Sequence, residues 1–182
     1  MTFRLPPYPY DRLAGLAKVA EAHEGGMVDC SIGTPYDPPP SSVIEALATS
    51  HAERGYPASA GSPALRDAAA AWLTRRFGLD DLAPSAVAAC VGTKEFVASV
   101  PHLLRLRQPD QDTVLYPAVS YPTYAMGADL GGCRAVPVPS APGRLGGLDL
   151  DAVEPDDAAR ALVLWSNSPS NPTGGLRSET HV

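Results

Sequence analysis

The chain has 182 residues, 45% apolar and 19% charged, enough for one domain with a real core. Its formal net charge of −6 argues against generic binding to nucleic acid or an anionic membrane, yet leaves room for one small anion held by a few backbone N–H groups. No apolar run nears the roughly 18 residues of a membrane span, and the opening MTFRLPPYPYD has no apolar core of a secretory signal.

Glycines and prolines fall mainly between apolar segments and read as punctuation. Residues 11–24 read as a helix that Asp11 can cap, with Leu13, Leu16, Ala17 and Ala20 on one face and Gly25 and Gly26 as its end. A short extended stretch at 28–32 leads into a turn-rich loop, GTPYDPPP, at 33–40. Ser42 with Glu45 resembles a capping box opening a helix to about His51. After the loop GYPASAG at 55–61, Ser62 and Pro63 supply a cap and a first-turn proline. Leu65, Ala68, Ala69, Trp72 and Leu73 give this helix an apolar face, and Gly78 gives it a stop.

From there strands and helices alternate. Strands are expected at 87–91, 113–116, 134–138 and 161–165, the last apolar throughout, as in a buried parallel strand. Helices are expected at 94–106, with Phe96, Val97, Val100, Leu103 and Leu104 inward, and at 122–130, with a short helical turn in 148–154. The alternation predicts an α/β fold, a mostly parallel sheet flanked by helices. The final RSETHV reads as the start of another helix with Ser178 as its cap, so the chain is expected to be a piece of a longer α/β protein.

Cys30, Cys90 and Cys133, like His23, His51, His102 and His181, are too scattered for a metal site, and the odd, spread cysteines suit reduced thiols in the cytoplasm. No GxGxxG, GxxxxGK[ST] or GxSxG is present, which removes support for dinucleotide-binding, P-loop and nucleophile-elbow chemistry.

Ligands of open α/β sheets gather at the carboxyl ends of the strands, so four loops matter. Gly92, Thr93, Lys94 and Glu95 join a strand to a helix, where free N–H groups and the helix dipole suit an anion; an ordinary capped turn has the same sequence. The stretch 116–124 sets Tyr116, Tyr121 and Tyr124 around two prolines, and Tyr121 suits stacking on a flat heterocycle or plain core packing. The loop 166–175 is polar and highly punctuated, and its Asn171 offers both a donor and an acceptor, though Asn-Pro also simply favours turns. Gly33, in the loop after Ile32, allows close backbone approach to a ligand; taken alone, a plain turn is the better reading.

Together these loops resemble the class I/II aminotransferases, the fold type I pyridoxal-phosphate enzymes. Asn171–Gly174 matches their NPTG loop, preceded in the right order by GTKE at 92–95, PAVSYPTY at 117–124 and GYPASAGSPALRDA at 55–68. The resemblance covers essentially the whole chain but about half of a typical member. Residues 7–40, 56–73 and 164–175 look most like the actinobacterial succinyldiaminopimelate transaminases. These exchange an amino group between N-succinyl-LL-2,6-diaminopimelate and 2-oxoglutarate in lysine synthesis.

The resemblance implies an N-terminal arm and substrate-side segment at 1–40, and an incomplete cofactor-binding large domain at 41–182. It also implies pyridoxal 5'-phosphate as cofactor, amino-acid and 2-oxo-acid substrates, and a homodimer. Gly92, Thr93 and Lys94 would cradle the cofactor phosphate, Tyr121 would stack on its ring, and Asn171 would donate to its phenolic oxygen. Tyr56 would reach the partner subunit's cofactor phosphate, and Gly33 would lie beside the substrate carboxylate. The only lysines are Lys18 and Lys94, and Lys94 matches the phosphate loop. The family's cofactor-holding lysine, ring-nitrogen aspartate and substrate arginine all follow the NPTG loop and map onto no residue here. No catalytic residue is therefore assigned, and the chain by itself is expected to lack transaminase activity. Other functions compatible with these loops are an aminotransferase for aspartate, aromatic amino acids or alanine, a lyase or decarboxylating enzyme of the same fold, and a non-catalytic ligand-binding protein.

Overall fold

A computed structural model describes residues 8–51, 54–143 and 146–177. The chain divides into two compact units, Gly15–Cys90 on one side and Met1–Ala14 with Val91–Val182 on the other. The expected cap at Ser178 lies outside the described residues.

A 3-10 turn, Pro9–Arg12, runs into helix α1, Leu13–Glu21, which buries none of its side chains. The extended stretch at 28–32 forms no strand. Asp29 Oδ1 accepts from Ser31 N at 2.9 Å, diverting an N–H that a ladder would need. The hydrogen bonds from Ser31 also hold the Asp29 carboxyl below its ordinary range.

Helix α2, Ser41–Ala48, starts one residue before the expected cap. Pro40 takes the cap position, and its carbonyl accepts from Val43 N at 3.0 Å. Ser42 is thus already helical and the capping box with Glu45 does not form. The helix ends short of His51, where Thr49 Oγ1 and Ser50 Oγ bond back to the carbonyls of Glu45 and Leu47.

Helix α3, Pro63–Phe77, has the expected ends. Ser62 Oγ accepts from Leu65 N at 3.2 Å, and Gly78 closes the helix at φ 66°. Its buried line differs from the expected face: Ala70 is buried, Arg66, Ala69 and Leu73 half-buried, and Leu65 and Trp72 exposed. The helix packs instead on a 3-10 turn, Pro84–Ala86, to which Arg66 Nε is tied through Pro84 O at 2.9 Å.

Residues 87–91 also form no strand. Ala89 N donates to Ala60 O at 3.1 Å, but no described strand lies alongside to continue a ladder. An extended segment without that partner is not a strand.

The second unit carries the sheet. Strands β1, Thr113–Pro117, β2, Arg134–Val138, and β3, Ala161–Leu164, pair in parallel in the order β2-β1-β3. Helix α4, Gly92–Arg107, precedes β1, helix α5, Thr123–Leu130, links β1 to β2, and a short helix α6, Pro155–Ala159, which periodicity did not reveal, precedes β3. A 3-10 turn at Leu150–Ala152 falls within the expected 148–154. The α/β reading therefore holds. β1 is central, with Thr113 and Val114 fully buried, and Val114 joins Ala128 and Cys133 in the core. β3 is only half-buried and Leu164 is exposed, because among the described strands it pairs on one edge alone.

Helices α4 and α5 come unusually close. A Cβ on Gly127 would stand 2.9 Å from Val97 O, and one on Gly131 would stand 3.0 Å from His102 N. Pro101, buried inside α4, has no N–H to donate to Val97 O, the carbonyl against which Gly127 lies. This contact sets the inward face of α4. Val97, Val100 and Leu104 are half-buried as expected, but Phe96 and Leu103 are exposed. Arg105 donates to the carbonyls of Gly131 and Gly132 at the end of α5, and Arg134 grips the buried Asp157 of α6 with two nitrogens, at 2.9 and 3.1 Å.

Gly127→Ala should destabilise the chain by about 1–3 kcal/mol despite alanine's better helix propensity, because the clash is with backbone. Gly15→Ala, whose Cβ meets nothing within 4 Å, should not. Urea midpoints of the two variants compare these outcomes directly, and an unchanged or raised midpoint for Gly127→Ala would refute the close-contact account. Burial pushes the Cys133 thiol up, whereas Cys30 and Cys90 are exposed. At pH 8, a thiol-specific reagent should label those two quickly and Cys133 only on unfolding; three equally fast thiols would contradict this packing.

Candidate functional site

Parallel pairing determines where the loops emerge. β1 and β3 are neighbours, so the segments that follow them, 118–122 and 165–177, leave from the same sheet edge. Ala118 N donates to Val138 O and Trp165 N to Leu115 O, each at 2.8 Å, which fixes both loops where they leave the sheet.

The start of α4 joins this edge through aromatic side chains. Phe96, in the first turns of α4, meets the Trp165 indole edge-on, with centroids 6.2 Å apart. Trp165 lies nearly parallel to Tyr124 of α5, at 5.3 Å and 17°. Tyr124 in turn meets Tyr121 edge-on at 6.1 Å. Four rings thus connect the helix start, the loop after β1 and the loop after β3. Burial, and then the neighbouring Tyr121, raise the Tyr124 hydroxyl above its usual pKa, so it stays a neutral hydrogen-bonding group across the physiological range.

At the start of α4, Gly92 has φ +80°, and a Cβ there would meet nothing within 4 Å. Thr93 and Lys94 are exposed. The Glu95 carboxylate folds back to accept the Val91 N–H, and Lys94 Nζ lies 5.1 Å from the centroid of the Tyr8 ring. A helix start of this kind presents backbone N–H groups that suit an anion.

The loop after β3 is braced by its own backbone. Ser170 N donates to Gly175 O at 2.8 Å, Gly174 N to Ser170 O at 2.6 Å, and Arg177 N to Ser168 Oγ at 3.0 Å. The Ser168–Pro169 and Asn171–Pro172 bonds are cis. Gly146, in the turn after β2, sits so close that a Cβ on it would stand 2.7 Å from Gly175 O. Asn171 is exposed on this braced loop.

The structure thus brings Gly92, Thr93, Lys94, Tyr121 and Asn171 onto elements sharing one sheet edge. Gly33 and Tyr56 belong to the other unit, where both are exposed. The sequence reading missed Phe96, Tyr124 and Trp165 as the framework of this edge. Their signal was present only as aromatic residues flanking the candidate loops, Phe96 just after GTKE and Trp165 just before the NPTG loop.

Residues 26–182 match the family model "Aminotransferase class I and II". Among curated proteins, the chain is 41% identical to a probable aminotransferase of Mycobacterium tuberculosis, over 98% of this chain and 39% of that protein. It is 43% identical to the 4-dedimethylamino-4-oxo-anhydrotetracycline transaminase of Streptomyces rimosus, over 96% of this chain and 44% of the relative. It is 37% identical to the LL-diaminopimelate aminotransferase of Desulforudis audaxviator, over 96% and 45%. Among solved structures, an aminotransferase of Neisseria meningitidis superposes with a TM-score of 0.79 at 28% identity, covering 94% of this chain and 44% of that one. A probable N-succinyldiaminopimelate aminotransferase of Thermus thermophilus gives 0.73 at 31%, covering 93% and 45%. The chain spans less than half the length of each of these relatives. The family match takes in the start of α4, the tyrosines after β1 and the loop after β3 alike, and the chain belongs to the class I and II aminotransferases.

Proposed function

We propose that this chain carries part of the cofactor site of a pyridoxal 5'-phosphate-dependent transaminase. The observation that supports it best is the chain of rings that joins the start of α4 to Tyr121 and to Trp165, at the foot of the loop carrying Asn171. These residues fit the group. The open, positive-φ turn at Gly92 lets a phosphate approach the N–H groups of Thr93 and Lys94. Tyr121 is a half-buried ring suited to stacking, and Asn171 offers an exposed amide to a ring oxygen. When bound, the cofactor supplies the electron sink for proton removal at the substrate α-carbon. This chain's own residues bind its phosphate, hold its ring plane and set a hydrogen bond to its oxygen.

For the full-length protein the proposed reaction transfers an amino group between N-succinyl-LL-2,6-diaminopimelate and 2-oxoglutarate. The Thermus and Desulforudis relatives, named for succinylated and free diaminopimelate, favour this substrate class. The Streptomyces relative, named for a 4-oxo-anhydrotetracycline, favours a second reading, a transaminase acting on a ring ketone. In either case we propose a cytoplasmic homodimer, with 1–40 as arm and 41–182 as part of the large domain. There Tyr56 reaches the partner subunit's cofactor phosphate and Gly33 flanks the substrate carboxylate. Among the described residues no helix is long and apolar enough to cross a membrane.

Two assays test this. With pyridoxal phosphate, an amino donor and 2-oxoglutarate, the 182-residue chain should show no turnover, since Lys94 belongs to the phosphate turn and Lys18 lies in α1. Sustained glutamate formation would overturn that. In a longer protein containing the chain, Tyr121→Ala and Asn171→Ala should each weaken cofactor binding by about tenfold, the scale of one lost stacking or hydrogen-bond contact. Wild-type affinity in both variants would remove the proposed cofactor site. A donor screen separates the two substrate readings.

A further inference from the structure

We propose that Trp165 is a positioning residue of the cofactor site, setting Tyr121 relative to the first turns of α4 through Tyr124. The inference rests on the cofactor reading above.

Trp165 is the first residue after β3, and its N–H bond to Leu115 O ties its backbone to the central strand. Its Cα is therefore fixed relative to the sheet. From that position the indole makes two separate ring contacts, edge-on with Phe96 and stacked with Tyr124. Phe96 lies two residues beyond Lys94 on α4, and Tyr124 holds Tyr121 edge-on. A long aliphatic side chain here could pack on the same core but would present no plane to either ring. The indole Nε1 is buried without a partner, an unfavourable arrangement that a purely space-filling residue would avoid. From this position one ring touches both the α4 and α5 sides of the edge.

The proposal separates positioning from packing. Leu162 packs on the same core but takes part in none of these ring contacts. The test places 3-fluorotyrosine in the 182-residue chain, assigns the Tyr121 fluorine signal with Tyr121→Phe, and follows it in three variants. Trp165→Met keeps bulk without a ring plane and should shift the Tyr121 signal. Trp165→Phe restores a ring and should return it toward the wild-type position. Leu162→Ala should lower the thermal midpoint and leave the Tyr121 signal in place. In a longer protein containing the chain, titration with pyridoxal 5'-phosphate should show about tenfold weaker binding for Trp165→Met and near-wild-type binding for Trp165→Phe. An unmoved Tyr121 signal in Trp165→Met, or an equal shift in Leu162→Ala, overturns the proposal. If a longer protein containing the chain binds no pyridoxal phosphate while the signals move as expected, the cofactor reading fails and the positioning of Tyr121 by Trp165 stands.

Discussion

The pairing of β1 on both edges by parallel partners is the constraint from which the rest of the structure follows. Parallel neighbours cannot be joined by a tight turn, so each connection must cross back over the sheet. α5 makes one such crossing, and α6 lies on the other. This removes β1 from solvent and accounts for its run Thr113, Val114 and Leu115 being buried on both faces. It also delivers the chain to the same sheet edge after β1 and again after β3. A polar loop and a tyrosine-rich loop, far apart in the sequence, thereby leave the sheet side by side.

The helices secure the third participant. The small residues of α5 let α4 lie directly against it, backbone to backbone, at Gly127 and Gly131. Close-packed contact of this kind resists sliding, because any displacement brings atoms into overlap. The start of α4 therefore has a fixed height relative to the ends of β1 and β3. Phe96 and Trp165 complete the registration at the loop end, and the ion pair from Arg134 to Asp157 holds the opposite end of β2 to α6.

What the sequence alone made legible follows from where the determining forces are local. Ser62, Pro63 and Gly78 set the ends of α3 by bonds within a few residues, and those ends were readable. The strands β1, β2 and β3 were readable because apolar runs between turn signals persist whatever surrounds them. The segments 28–32 and 87–91 were not, because a strand is defined by a neighbour that no local pattern contains. The buried lines of α3 and α4 were misjudged for the same reason. Pro84 and Gly127, distant partners, decide which side faces inward. At the candidate site, the loops carrying Gly92, Tyr121 and Asn171 stood out through their glycines, prolines and tyrosines. The ring framework joining them did not, since Phe96, Tyr124 and Trp165 gain their roles only once three elements converge.

The turn after β2 carries a different kind of consequence. Gly146 is half-buried and has no chemical group to offer, yet a Cβ on it would stand 2.7 Å from the Gly175 carbonyl that closes the Asn171 loop. Natural variation at such a position would pass as harmless by its distance along the chain from the Asn171 loop. Physically there is no room for a side chain there, so an inherited substitution would displace the backbone of the Asn171 loop. Pairs such as Gly146 and Gly175 are where drift in an apparently neutral turn is limited by a neighbour the turn never meets in sequence.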